Sequence, residues 1–355
     1  MIENAIKRIE DGQDKLLPSN KIIIWGAGVS GMRGYELLQS FKMENNIIAF
    51  VDNDQKKQGT DFLGIHVYSP EYLDLETEAS IVICTQFHSE IYPYIRNNGE
   101  RKLYYYESRI PAYGIIKPID YLGLSTIYQN DSITIDSIDL LHCLRKYERG
   151  IIVPYEIAAS FPVFYHYWDN NELSLIRWNK VTMVDAGAYT GDSVKLWLKS
   201  YRNIISKIYA FEPDEDNFMK LTGNIEVYGV SDISLLFNVG LSNKRRTLRF
   251  SCGHDASNIN SDGDVLVPVV PLDEMIEHVD GKLCIKMDIE GSELYALEGA
   301  KETIKKYKPE LAICVYHKYD DVITIPKYIK SICPEYNCVL RCGPHMECYA
   351  SVERY

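Results

Sequence analysis

The sequence predicts an α/β chain of two Rossmann-like parts, a smaller one in front and a larger three-layer sandwich behind. Three observations carry this. Short apolar runs alternate with stretches of helical periodicity in both halves, the pattern of mostly parallel sheets covered by helices. Two of these runs end in small-residue turns that open helices, one at Gly26, Gly28 and Gly31, the other at Gly187 and Gly191. In each case the next apolar run delivers an acid, Asp52 or Glu212, which completes the strand-turn-helix-strand-acid frame that adenosine-containing cofactors use.

The 355 residues suffice for two domains with real cores. The expected division is a small nucleotide-binding-type domain over 1–110, a helical or irregular connector over 111–180, and the larger domain over 181–355. A net charge of -12, from 38 basic and 50 acidic side chains, would repel a phosphate backbone and argues against nucleic-acid partners. No apolar run reaches the length of a membrane span, and residues 1–13 are too charged for a signal peptide, so a cytoplasmic address is expected. Of nine cysteines, Cys84, Cys143, Cys252, Cys284 and Cys314 sit mostly in apolar runs, as reduced thiols do. Cys333, Cys338, Cys342 and Cys348 surround His345 without a C-x-x-C pair, so no structural zinc is expected.

Along the chain, Ile2, Ile6 and Ile9 predict a short amphipathic helix within 1–15. A strand over 21–25 runs into Gly26-Ala-Gly28-Val-Ser-Gly31 and a helix to about 41. Such a turn aims backbone N–H groups and the positive helix end at a diphosphate. A strand over 47–51 ends at Asp52, where a carboxylate could hold ribose hydroxyls. Gly26, Gly28, Gly31 and Asp52 are therefore a candidate secondary nucleotide site, although glycines also serve tight strand-helix packing. Strands over 80–85 and 102–106 enclose a helix over 88–97. Between 110 and 179 the pattern loosens, with Pro111, Pro118, Pro154 and Pro162, a helix over 136–147 and an aromatic cluster over 161–168, the last expected as core between domains.

The larger domain starts with the run into Asp185 and the turn to Asp192, then the run that ends at Glu212. A strand over 233–237 leads to Asn238, and strands over 247–252 and 265–270 flank a polar loop over 254–263. The strand over 283–287 enters Asp288-Ile-Glu290-Gly291-Ser-Glu293 and a helix through Ile304; that over 310–315 enters Tyr316-His317-Lys318. Residues 337–341 and 347–352 read as an antiparallel pair closing the sheet. Ligands of such sheets bind beyond the carboxyl ends of the strands, which singles out Asp185, Glu212, Asn238, Asp288 and His317. Asp185 and Asp192 flank the turn; they oppose a diphosphate and welcome a cation. S-adenosylmethionine carries an ammonium and a sulfonium and no phosphate, and the two oxygens of Glu212 can accept from both ribose hydroxyls.

From residue 181 to about 352 the chain resembles the FkbM family of S-adenosylmethionine-dependent methyltransferases. The resemblance lies in V-D-A-G-A-Y-T-G-D at 184–192, Y-A-F-E-P-D at 209–214, V-V-P-L-D at 269–273 and I-K-M-D-I-E-G-S-E-L-Y-A-L-E-G-A at 285–300. It implies the class I methyltransferase fold, with Asp185, Gly187, Gly191 and Glu212 lining the cofactor site and Asp288 and Glu290 near the transferred methyl. Tyr189 departs from the glycine usual in class I enzymes and the asparagine usual in FkbM sequences. With Asp192, Asn238 and Asp288 it completes the expected cofactor-binding set.

FkbM enzymes mostly methylate hydroxyls of sugars, polysaccharides or polyketides, and the front domain resembles those of bacterial sugar-modifying enzymes. Together these imply O-methylation of a sugar hydroxyl on a glycan, polysaccharide or nucleotide-sugar, with a small-molecule or glycan acceptor as partner and a homo-oligomer left open. Two alternatives remain. One is an NAD(P)-dependent sugar oxidoreductase or epimerase working from Gly26 to Asp52, for which no Tyr-x-x-x-Lys pair is visible. The other is a non-catalytic cofactor-binding scaffold in glycan assembly. His317 is the first candidate base, because a free imidazole titrates near pH 7, followed by Asp288 and Glu290. A divalent ion on Asp288, Glu290 and His317 is weighed and not adopted.

Overall fold

The computed structural model describes residues 2–12, 17–18, 20–85, 88–97, 101–107, 124, 127–128, 134, 150–158, 168, 173–251, 258–259, 265–342 and 346–353. The helix expected over 136–147, the polar loop 254–263 apart from 258–259, and most of the aromatic cluster lie outside them. Two compact units are present, Met1–Ile110 with Asp136–Val163 and Pro111–Ile135 with Phe164–Tyr355.

In the first unit the elements are α1 (Ile2–Glu10), β1 (Ile22–Trp25), α2 (Val29–Ser40), β2 (Ile47–Val51), β3 (Asp61–Phe62), β4 (Ile65–Tyr68), β5 (Ser80–Ile83), α3 (His88–Asn97), β6 (Leu103–Glu107), β7 (Ile151–Pro154) and α4 (Tyr155–Ala158). They form a sheet ordered β3-β4-β2-β1-β5-β6-β7. β1 pairs in parallel with β2 on one side and β5 on the other, so the strand order reverses there. Its run of isoleucines is buried on both faces. Ile22 and Ile24 join a core with Leu37 and Leu38 of α2, while Ile23 and Trp25 join another with Ile9, Ile91 and Ile95, which is why the run shows no apolar-polar alternation. The hairpin β3-β4 and the antiparallel edge strand β7 are additions to the predicted elements; β7 falls in the stretch read as connector.

The second unit contains β8 (Val181–Ala186), α5 (Asp192–Tyr201), β9 (Ile205–Phe211), α6 (Glu215–Tyr228), β10 (Ser234–Phe237), β11 (Gly240–Leu241), β12 (Arg246–Ser251), β13 (Asn258–Ile259), β14 (Val265–Val270), β15 (Lys282–Met287), α7 (Glu293–Glu298), α8 (Lys301–Tyr307), β16 (Glu310–Cys314), α9 (Asp321–Ile332), β17 (Asn337–Cys342) and β18 (Met346–Ser351). Its main sheet runs β10-β9-β8-β15-β16-β18-β17, beside a small sheet β11-β14-β12-β13. β8 pairs in parallel with β9 and β15, while β18 is antiparallel to both β16 and β17. This is the three-layer Rossmann-like sandwich with a terminal antiparallel pair that the sequence predicts.

Local sequence explains the helix ends. Asp214 caps α6 by accepting from Asn217 N at 2.9 Å, and Gly229 ends it in a left-handed turn. The single helix expected through Ile304 is instead two, α7 and α8, separated at Gly299 and Ala300. A Cβ on Gly299 would lie 2.0 Å from Ser242 O, so this packing fixes a glycine where a continuous helix would disfavour one. Asp273, the last residue of the V-V-P-L-D motif, accepts from Glu302 N and Thr303 N at 3.0 and 2.7 Å; the motif serves to start α8.

Cys84, Cys284, Cys314, Cys333, Cys338 and Cys348 are free and buried. Cys143, Cys252, His345 and the side chain of Cys342 lie outside the described residues. Among the described residues no helix is long and apolar enough to cross a membrane.

The first glycine turn is closely packed: a Cβ on Gly31 would lie 1.8 Å from Gly26 O. Gly31→Ala is expected to destabilise the first unit by about 1–3 kcal/mol, the usual cost of overpacking. Urea unfolding followed on the isolated variant and parent chains measures it, and equal midpoints would contradict this packing.

Candidate active site

In the second unit the strand order reverses between β8 and β15, and the loops leaving these two strands meet at their carboxyl ends. A Cβ on Gly187 would stand 1.9 Å from Asp288 O, and the residue has φ +76°, so only glycine fits where the first loop crosses the second. Gly187 N and Ala188 N both donate to Phe211 O at 3.0 Å, which ties the turn to the end of β9. Gly191 follows, left-handed at φ +88°, as the N-cap of α5. Asp192 opens that helix on the exposed side, and its Oδ1 accepts from Ser193 N at 2.9 Å.

Asp185 is not laid open to a ligand. Its side chain is 0% exposed and lies 3.0 Å from Lys286 Nζ, its partner across the β8–β15 register. Lys286 also donates to Gly187 O at 2.6 Å. Burial raises the Asp185 carboxyl to about 6 against the pull of Lys286. Burial alone would lower the Lys286 ammonium, yet Asp185, Asp288 and Asp192 raise it and keep it charged. Asp185 therefore meets its cation within the protein, on the neighbouring strand.

Glu212 is placed differently. Its Oε2 accepts from Tyr189 N at 2.8 Å and its Oε1 from Asp214 N at 3.0 Å, while Asn238 Nδ2 donates to Glu212 O at 2.9 Å and fixes the backbone. Each carboxylate oxygen has a second acceptor direction, so the group is oriented by the chain and still able to accept two more hydrogen bonds. Burial raises it to about 7, against the two backbone donors. Tyr189 is left-handed at φ +48° and 51% exposed. A backbone conformation that L residues rarely adopt is held here so that its N–H reaches Glu212.

The end of β15 and the end of β16 bring together Asp288, Glu290, Glu293 and His317. His317 Nε2 lies 3.4 Å from both Asp288 Oδ1 and Glu290 Oε2, and Nδ1 lies 3.0 Å from Glu293 Oε1. Tyr316 OH donates to Asp288 Oδ1 at 3.1 Å, and Glu293 Oε1 accepts from Ile289 N at 2.8 Å. Glu290 is a second left-handed non-glycine residue, φ +54°. Burial raises Glu290 while His317 lowers it; burial, with Glu293 beside it, also raises Asp321 to about 7. Burial would lower the imidazole of His317, but the carboxylates of Glu293, Asp288 and Glu290 outweigh it and bring it to about 9. The expectation of His317 as a base rested on the free imidazole; in this surrounding of acids its protonated form is favoured. Glu293, absent from the predicted site, is its nearest acid. Its signal in the sequence is the third acid of Asp288-Ile-Glu290-Gly291-Ser-Glu293.

The first unit brings its predicted residues together as well. Asp52 Oδ2 accepts from Ala27 N at 2.8 Å and Lys57 Nζ at 3.1 Å, and Oδ1 from Asp54 N at 2.9 Å. Burial would raise Asp52, but these donors hold it below its ordinary value. A Cβ on Gly26 would lie 2.7 Å from Cys84 O, so Gly26 and Gly31 answer to packing, whereas Gly28 meets only Lys57 Nζ at 3.9 Å.

Residues 185–331 match the family model described as the methyltransferase FkbM domain. The second unit carries an FkbM methyltransferase domain. Residues 18–103 match the model described as C2185-like, N-terminal. A methyltransferase FkbM from Methylobacillus flagellatus KT is similar in fold over 98% of each chain, with 22% identity and a TM-score of 0.58. An rRNA methylase from Streptococcus thermophilus matches 49% of this chain and 87% of its own at 15% identity and a TM-score of 0.33. A UDP-D-quinovosamine 4-dehydrogenase from Vibrio fischeri matches 26% and 80% at 22% identity and a TM-score of 0.22. Curated proteins give no match. Of the second unit's motif residues at 184–192, 209–214, 269–273 and 285–300, all but Val184 fall within 185–331.

The raised Glu212 carboxyl has a consequence for stability. Between about 4.5 and 7 the folded chain holds a proton there that the unfolded chain has lost, so this group's contribution falls as pH rises through that window. Thermal unfolding of the ligand-free chain and of Glu212→Gln across pH 4.5 to 7 is expected to show a flatter profile in the variant; parallel profiles would contradict the burial of the charge.

Proposed function

We propose that the FkbM domain is an S-adenosylmethionine-dependent methyltransferase that methylates a sugar hydroxyl. The observation that carries the cofactor is Glu212, whose oxygens are each held by one backbone N–H and each keep one acceptor direction. A vicinal pair of ribose hydroxyls is the partner such a carboxylate fits. The two crossing loops at Gly187 and Asp288, with no room for a Cβ, bring this group and the acid cluster to the same end of the sheet. No phosphate-binding feature accompanies Glu212, since Asp192 heads α5, and this favours a cofactor without phosphates.

When bound, the cofactor supplies a methyl group on a sulfonium and leaves as S-adenosylhomocysteine. The chain's own work is orientation, exclusion of water and removal of the hydroxyl proton. Among the acids around His317, Glu290 is the most open, its side chain 34% exposed against 21% for Asp288 and 1% for Glu293. Glu290 is accordingly the group that takes the acceptor's proton as the oxygen–carbon bond forms. His317, charged among the acids, holds Glu290 and Asp288 in place from behind. Asn238 acts on Glu212 through the backbone.

The sugar reading is supported by the resemblance of both parts of the chain to sugar-modifying enzymes. The turn of the first unit, open at Gly28 beneath Lys57, would by itself suit the anionic part of a nucleotide.

Calorimetry with S-adenosylhomocysteine tests the cofactor. Glu212→Ala is expected to weaken binding at least tenfold, a loss of about 1.4 kcal/mol or more; unchanged affinity would remove the assignment. With a panel of nucleotide-sugars and oligosaccharides, Glu290→Gln is expected to lower kcat by about a hundredfold or more with little change in cofactor affinity.

A further inference from the structure

The methyl-transfer reading leaves one part of the acid cluster unused. Glu293 is fully buried and His317 nearly so, and neither ring nitrogen of His317 nor Glu293 Oε2 has a hydrogen-bond partner. Nδ1 approaches Glu293 Oε1 at 3.0 Å as a charge contact. Polar atoms buried in this way cost free energy unless something else satisfies them. The shell around them is in contrast well ordered: Tyr316 OH donates to Asp288 Oδ1, and Ile289 N to Glu293 Oε1.

Ligand atoms of Asp288, Glu293 and His317 all lie within 4.8 Å of one another. Atoms bound at about 2.1 Å from a common ion lie about 3–4 Å apart, so the three need only close slightly around it. We propose that Asp288, Glu293 and His317 form a divalent-metal site, with Glu290 at its open side. Two carboxylate oxygens and one imidazole nitrogen form a mixed donor set, between the all-oxygen sites of Mg2+ and Ca2+ and the nitrogen-rich sites of Zn2+ and Cu2+, and Mn2+ is the ion it fits best. Tyr316 and Ile289 N orient the ligands from outside, as second partners of metal-binding carboxylates do. The left-handed backbone of Glu290 lets the chain turn between Asp288 and Glu293 so that both carboxylates reach one point.

The site stands on its own geometry. Its role rests on the methyltransferase reading: the ion would polarise the acceptor hydroxyl and stabilise the developing oxyanion while Glu290 takes the proton.

The full chain, stripped with a chelator and titrated with Mn2+ alone, tests this by the loss of the free-ion electron paramagnetic resonance signal. One ion per chain is expected, with affinity reduced at least tenfold in Glu293→Gln and His317→Gln. Asp288→Asn, at a partly exposed position, is expected to lose affinity equally and guards against a folding defect in the buried variants, which near-ultraviolet circular dichroism reports. No uptake of Mn2+, Mg2+ or Zn2+ by the stripped parent chain, or equal uptake by folded variants, overturns the site. Methyl transfer undiminished in chelator overturns the role while leaving the methyltransferase reading intact. Mn2+ uptake at these residues without affinity for S-adenosylhomocysteine would sink that reading and spare the metal site.

Discussion

The second unit is arranged around one buried ion pair. Lys286 crosses from β15 to Asp185 on β8 and ties down Gly187 O beyond it, so the two strands between which the sheet order reverses are joined by charge as well as by their ladder. Both partners are essentially without solvent. Such a pair is weak evidence for net stability, because desolvation offsets most of the attraction, but removing one partner strands the other at a cost of about 3–5 kcal/mol. What the pair supplies is register. It fixes Gly187 against Asp288 O, and from that crossing the turn to Glu212 in one direction and the acid cluster in the other take their positions.

The pair also divides the labour among the acids. Asp185, first of the acids at the strand ends, is spent on Lys286. Glu212 is held by two backbone N–H groups and stays able to accept. Only the third group, at the end of β15, gathers more negative charge than its one imidazole balances. The carboxylates thus differ along the sheet in how each is compensated: by a lysine, by amides, or incompletely.

The fold was legible because it depends on features that one sequence displays. The run Ile22–Trp25, and the run of Val181, Met183 and Val184 that leads into Asp185, are buried on both faces, and largely apolar runs between helical stretches have few other solutions. The small strands were less legible: β3 and β11 are two residues each, too short to repeat the two-residue alternation of a strand. The break between α7 and α8 depends on Ser242 approaching Gly299, a contact from far along the chain. The residues of the candidate site were placed together much as their positions at strand ends imply, but their states were not. Whether Lys286 faces Asp288 or Asp185 depends on strand register, and whether His317 is neutral depends on how many acids surround it. Neither is a property of the residue or its neighbours in sequence.

Tyr189 shows how a departure from a family pattern acquires a physical account. The position takes a left-handed backbone, φ +48°, which glycine adopts without strain and a tyrosine only at a cost of about 1–3 kcal/mol. What offsets the strain is visible: the turn is closed by Gly191 N on Ala188 O at 2.8 Å and by Tyr189 N on Glu212 Oε2, so relaxing the backbone would release the carboxylate. The same conformation recurs at Glu290 in the opposite loop. The two strained residues flank the crossing of Gly187 and Asp288, one serving recognition and the other the acid cluster. Strain placed on both sides of one contact sets an exposed aromatic residue beside the Glu212 carboxylate and an open carboxylate beside the buried acids.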